Sequence, residues 1–164
     1  GGLDSWSAYP DSEFVVAIGN PRDRKLVVEK MVAQGVDAFA TLIHPSVKMS
    51  ESVNVGKGTM ICAGCIATVD IAIGNHVILN LNVTVGHDDV ISDYVTVAPM
   101  TALSGNVILE PGVEVGTGAA IREGINMAEG SMLGMGGILT KDTEANTIYI
   151  GSPAKPLKQL PEFI

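Results

Sequence analysis

The stretch Ile73-Gly74-Asn75-His76-Val77-Ile78-Leu79-Asn80-Leu81-Asn82-Val83-Thr84-Val85-Gly86-His87-Asp88-Asp89-Val90-Ile91 places an aliphatic residue at every sixth position. The same step reaches back through Ala67, Ile61, Val55, Met49 to Ile43, and forward through Val97, Leu103, Leu109, Val115, Ile121, Met127, Leu133 to Leu139. All seventeen members are apolar in a chain that is 46% apolar; chance gives such a row on the order of 10⁻⁵ of the time. Four residues after each member runs a second row, including Val53, Thr59, Cys65, Ile71, Val77, Val83, Val95, Thr101, Val107 and Val113. It is small or β-branched throughout, except for Asp89. Gly often follows the first row, as at Gly56, Gly74, Gly86, Gly116 and Gly134. A period of six means short strands joined by tight turns, both rows pointing inward and Gly supplying turn dihedrals closed to other residues. Helices would need a period of about 3.6. A strict hexapeptide repeat is the signature of a parallel β-helix. Three hexapeptides per coil predict a triangular prism of nearly six coils over residues 43–143.

Composition agrees with a thin, repetitive interior. The 164 residues have room for one medium domain, with 19 Gly and only 4% aromatic residues, whereas layered cores take much of their bulk from aromatic rings. The net charge of −8, and the lack of any Lys or Arg between Lys57 and Arg122, argue against nucleic acid, whose phosphates require clustered cations. No apolar run approaches the roughly 18 residues of a membrane span. The opening Gly1-Gly2-Leu3-Asp4-Ser5 has no charged n-region or apolar h-region, so a cytoplasmic protein is expected. Cys62 and Cys65 form a C-x-x-C, but a zinc site needs about four ligands and no second Cys pair exists. The repeat places both on strands, where reduced structural thiols are expected.

Two segments flank the prism. In residues 1–42, Glu13 to Gly19 reads as a buried parallel strand, Asn20 as an N-cap with Pro21 at the first helical position, and a helix runs to about Gly35. Asp37 to Ile43 reads as a second strand, which completes a β-α-β fragment of a doubly wound domain. In residues 144–164, Thr147 to Lys155 reads as a strand and turn followed by an apolar tail that caps the open end of the solenoid. The fold class is therefore mainly β, a β-helix with a short N-terminal α/β segment.

Three histidines are candidates for chemistry. His44 and His76 sit in ordinary turn positions and read as structural. His87 lies among polar and acidic side chains in Asn80 to Asp89, where neighbouring carboxylates favour its protonated form and strengthen it as a base. Asp89 is the single charge in the inward row; it must either find a partner or open the coil locally.

The ordered set Val16-Ala17-Ile18-Gly19-Asn20-Pro21, Ile43-His44-Pro45-Ser46, Gly86-His87-Asp88, Ser104-Gly105-Asn106-Val107 and Gly151-Ser152-Pro153-Ala154-Lys155 resembles the bacterial sugar acetyltransferases of the PglD/NeuD type. The resemblance covers nearly the whole chain from about residue 12. It implies a left-handed winding and transfer of an acetyl group from acetyl-CoA to the amine of a nucleotide-linked 4-amino-sugar in surface glycan synthesis. His87 would be the general base, Asp88 would raise its basicity, and Asn80 would shape the site. The active unit would be a homotrimer, with CoA between neighbouring prisms. By position, Thr96, Gly105, Thr117, Gly134 and Met135 match CoA-contacting sites. Lys141, Lys155 and Lys158 are candidates for its phosphates, and Gly19 matches a nucleotide-contacting glycine. No metal is expected.

Members of that family begin with a strand and a Gly-rich phosphate turn. This chain starts instead at Gly1-Gly2-Leu3-Asp4, which suggests either a truncated chain or an acceptor bound without that turn. An O-acetyltransferase of the sialic acid type and a non-catalytic trimeric scaffold remain alternatives. A γ-class carbonic anhydrase would need three His ligands, and the spacing of His44, His76 and His87 does not fit one. Direct transfer is expected, since no Cys adjoins His87 to carry an acyl group.

Overall fold

Each hexapeptide forms one side of a triangular coil, two residues of strand followed by a four-residue turn. The computed structural model, which describes residues 5–164, contains seventeen such strands, β1 to β17, from Leu42–Ile43 to Ile138–Leu139. Residues 18 apart pair in parallel, as in Met60↔Ile78, Thr96↔Ile78, Thr96↔Glu114 and Glu114↔Met132. Three sheets result, of eight, six and five strands. The first corner joins the eight-stranded side to the six-stranded side and contains Asn80. The second joins the six- and five-stranded sides and contains His87.

Both predicted rows fill the interior. From Ile61 to Leu139 every member of the first row is buried, and so are Cys65, Ile71, Val77, Val83, Val95, Val107 and Val113 of the second. The row thins at its beginning, where Ile43 and Met49 are exposed at the open end of the prism.

The glycines after the first row act differently from the expectation. The left-handed backbone lies two residues later, again with period six: Asp70, His76, Asn82, Asp88, Tyr94, Met100 and Asn106 all have φ between 53° and 60°. Glycine directly after the row is needed for close stacking of coils. A Cβ on Gly56 would stand 2.5 Å from the Gly74 carbonyl, and one on Gly86 would stand 2.5 Å from that of Ser104.

The helix, α1 (Pro21–Ala33), starts where its cap predicts. The Asn20 side chain accepts hydrogen bonds from the Arg22 and Asp23 amides at 2.9 and 3.2 Å. The two flanking strands are shorter than expected. Apart from Leu42–Ile43, which is β1 of the prism, they reduce to one parallel bridge, Phe14↔Phe39, where the Phe14 amide donates to the Ala38 carbonyl and the Ala40 amide to the Phe14 carbonyl. Residues 1–4, on which the reading of the chain's opening rests, lie outside the described residues.

The tail does more than cap. Strand β18 (Thr147–Gly151) adds in parallel to Met132–Leu133, then turns back as the antiparallel β19 (Ala154–Gln159). Tyr149 closes the core. Beyond β19 the chain runs along the prism to α1, where Phe163 is buried beneath the cations of Arg22 and Lys25. Arg22 also donates to the Glu162 carbonyl at 2.7 Å.

Candidate active site

His87 and Asp88 project from the second corner, both half-exposed. His87 Nδ1 lies 2.8 Å from Asp88 Oδ2. A carboxylate only accepts hydrogen bonds, so the Nδ1 proton donates to Asp88 and Nε2 keeps a free lone pair. The Asp88 hydrogen bond is the largest cause holding the imidazole pKa above its ordinary value, and the Asp88, Glu123 and Asp89 charges act in the same direction. The pair is set by backbone as well as charge: Asp88 takes the left-handed conformation with φ +60°, a strained choice for a non-glycine residue.

The ring rests on Gly105, one coil further on. A Cβ there would come within 2.5 Å of His87 Cε1 and Nε2. Gly105 therefore belongs to the histidine's seat. Glu123 and Lys141 continue the same column at steps of 18 residues. Three coils separate Lys141 from His87, about 14 Å at the usual strand spacing.

Asn80 is not joined to His87 within the chain. It stands in the first corner, across the six-stranded side, and its Oδ1 accepts a hydrogen bond from the Leu81 amide at 2.9 Å. Thr117 and Met135 stack in that corner, both exposed, Met135 by 77%. Gly134 is beside them, where a Cβ would press on Ile150 Cγ2 at 2.9 Å. Thr96 lies elsewhere, buried with its hydroxyl donating to the Gly19 carbonyl at 2.7 Å. That bond places both Thr96 and Gly19 at the junction between the N-terminal segment and the prism. Lys155 and Lys158 are exposed on β19.

One further feature escaped the sequence. Arg24 is 1% exposed and clamps α1 onto the prism. Its guanidinium donates to the carbonyls of His76 (2.8 Å), Ile18 (2.6 Å), Gly19 (3.1 Å), Tyr94 (2.6 Å) and Val95 (3.2 Å). Burial lowers its pKa to about 10. His76 packs against Phe39 and Tyr94 at centroid distances of 4.8 and 5.4 Å, a structural role, and burial holds its pKa below the ordinary value. Cys65 also has a structural role. Cys65 Sγ lies 2.9 Å from the Asn80 carbonyl, and burial raises both thiol pKa values, which keeps them protonated.

No family model matches the chain. UDP-N-acetylbacillosamine N-acetyltransferase of Bacillus subtilis is 46% identical over 54 residues, which are 33% of this chain and 24% of that protein. The match thus spans about a quarter of the curated relative's length. PerB from Caulobacter crescentus, solved in complex with CoA and GDP-perosamine, superposes with a TM-score of 0.89 at 30% identity, over 95% of this chain and 75% of that one. The chain belongs to the bacterial sugar acetyltransferases of the hexapeptide left-handed β-helix superfamily. A further acetyltransferase of this kind, the domain of PglB from Neisseria gonorrhoeae in complex with acetyl coenzyme A, gives a TM-score of 0.84 at 32% identity, over 88% of this chain and 70% of that one. The left-handed winding and the hexapeptide acetyltransferase fold expected from the motifs are thereby established. Among the described residues no helix is long and apolar enough to cross a membrane.

Proposed function

We propose that this chain transfers the acetyl group of acetyl-CoA to the amine of a nucleotide-linked 4-amino-sugar, with His87 as general base. The observation that carries the reading is the His87–Asp88 pair: an exposed imidazole with Nδ1 engaged and Nε2 free. Nε2 takes a proton from the sugar amine as its nitrogen attacks the thioester carbonyl. The tetrahedral adduct then expels the CoA thiolate, and the imidazolium supplies the proton that the sulfur needs. Asp88 stabilises that imidazolium and holds the ring in the productive tautomer. Direct transfer needs no acyl-enzyme, and the Cys65 thiol is buried against the Asn80 carbonyl.

The residues fit a thin, extended co-substrate. Gly134, Thr117 and Met135 leave a low-relief first corner, Gly105 floors the base, and Lys141 stands at the far end of the His87 column as a candidate phosphate ligand. Asn80 and His87 stand on opposite edges of the six-stranded side, whose outward residues Lys48, Ile66, Thr84, Ala102 and Ile138 are exposed and, save Lys48 and Thr84, apolar. A homotrimer would bring the first corner of one protomer to the second corner of its neighbour, completing the site from Asn80, His87 and the CoA-facing residues. Both substrates are cytoplasmic metabolites, so the cytoplasm is the proposed place of action.

Titration calorimetry with acetyl-CoA, followed by a panel of UDP-, dTDP- and GDP-linked amino-sugars, tests the reading. Binding of both classes, with turnover abolished in His87→Ala and acetyl-CoA affinity kept, is the expected result. Near wild-type turnover in His87→Ala would remove the general-base role, and no binding of acetyl-CoA would remove the enzyme.

A further inference from the structure

Asp89 fills the inward position of its coil, fully buried beneath the corner that carries His87 and Asp88. The coil does not open around it. Asp89 Oδ1 accepts a hydrogen bond from the Val107 amide at 2.8 Å, one coil on, and the nearby Gly86 amide favours the charged form of the same carboxylate. Oδ2 is buried without a hydrogen-bond partner.

The sheet ladder is interrupted beside Gly86. At the equivalent place in the neighbouring coils the amide donates along the sheet: Thr68 to Val85 at 3.2 Å, Ser104 to Ile121 at 3.1 Å, Arg122 to Leu139 at 3.0 Å. Between Thr84–Val85 and Ala102–Leu103 only the Thr84↔Ala102 pair forms, whereas the next two strands pair at both residues. Structure alone does not call for a carboxylate here. Thr59 occupies the same hexapeptide position at a different corner of the prism, and its neutral Oγ1 accepts the corresponding amide, that of Val77, at 3.0 Å. A buried carboxylate with one empty oxygen is costly, and its location directly under the base gives that cost a function.

We propose that Asp89 is a positioning residue for His87, whose carboxylate takes the Val107 amide beside the gap in the ladder at Gly86 and so locks the turn bearing His87 to the Ser104-Gly105-Asn106 turn on which its ring rests. The inference rests on His87 as the base. Gly86 immediately precedes His87, and Val107 ends the turn that contains Gly105. The Asn106 amide completes the link by donating to the His87 carbonyl at 2.8 Å. Burial pushes the Asp89 pKa up to about 7, with His87 and Asp88 the charged groups that act on it.

The test compares Asp89→Val, Asp89→Thr and Asp89→Asn in the full chain, by steady-state kinetics and by NMR titration of the His87 ring. Valine, the commonest residue of this row, is expected to lower kcat by about tenfold or more while KM for acetyl-CoA stays within about twofold. The His87 pKa should fall back toward its ordinary value as the ring leaves Asp88. Asparagine keeps the Oδ1 acceptor and is expected to restore most of kcat and the raised His87 pKa. Wild-type kcat and an unchanged His87 titration in Asp89→Val would overturn the proposal. If the wild-type chain acetylates no acceptor, the titration decides alone: a shift upholds the positioning role while the catalytic reading falls, and no shift sinks both. Should the valine variant fail to fold, the threonine variant, which keeps one acceptor in the row, is read by the same two measurements.

Discussion

The His87 ring rests on Gly105, 18 residues away in sequence and one coil away in space, so closely that a single added methyl would collide with Cε1 and Nε2 at 2.5 Å. The proposed base thus has a floor as well as a hydrogen-bonded partner, and its reactive nitrogen is located by a residue with no side chain.

Gly105→Ala should therefore displace the ring without disturbing the prism. Misplacing a catalytic group by about 1 Å can cost about a hundredfold, so kcat should fall about ten- to a hundredfold with the thermal midpoint little changed. Unaltered kcat would show that the ring's resting place is irrelevant to turnover.

Asp88→Asn keeps an oxygen to accept the Nδ1 proton but removes the charge that raises the His87 pKa. The base must be neutral to accept a proton, so the acid limb of the kcat/KM profile should move to lower pH in the variant. kcat should fall at the same time, since the imidazolium loses its counter-charge. A pH profile that superposes on the wild type would remove Asp88 from the mechanism.

His76 and Asp89 pull stability in opposite directions with pH. Burial lowers the His76 pKa from 6.5, so its contribution is present above about 6.5 and lost as the pH falls, when the unfolded chain binds the proton more readily. Asp89 is raised from 3.8 to about 7, so its contribution is present below about 4 and lost as the pH rises toward 7. Asp89→Asn should unmask a thermal midpoint that climbs as the pH rises toward about 6.5. His76→Asn should unmask one that falls from about pH 4 to 7. Parallel curves in the two variants would contradict both assignments.

Arg24→Met should loosen the N-terminal segment from the prism. Five carbonyls lose a charged donor, and leaving buried acceptors unpaired costs at least about 2 kcal/mol. Limited proteolysis should cut first within residues 5–40, ahead of any cleavage in the repeat. Wild-type resistance there would assign the docking to α1's apolar face alone.

Much of this architecture was legible because it is local and periodic. One apolar residue in six, with a small partner four places on, specifies which side chains enter the prism wherever the chain repeats itself, and the Asn20-Pro21 signal marks the start of α1 from its own first turn. The flanking strands read less well, since a strand exists only through its neighbours and Phe14 and Phe39 pair at one point. The Gly-His-Asp element likewise pointed to the proposed base from adjacent residues.

What no local pattern carries is contact between stacked coils and docked segments. The seat of His87 on Gly105, the capture of the Val107 amide by Asp89, the bond from Thr96 to Gly19 across 77 residues and the Arg24 clamp reaching 71 residues to Val95 arise only when coils close and the helix lies against them. Periodicity tells a side chain whether it faces in or out. The stacking of one coil on the next decides what it meets there, and for Asp89 and His87 that meeting is the proposed active site.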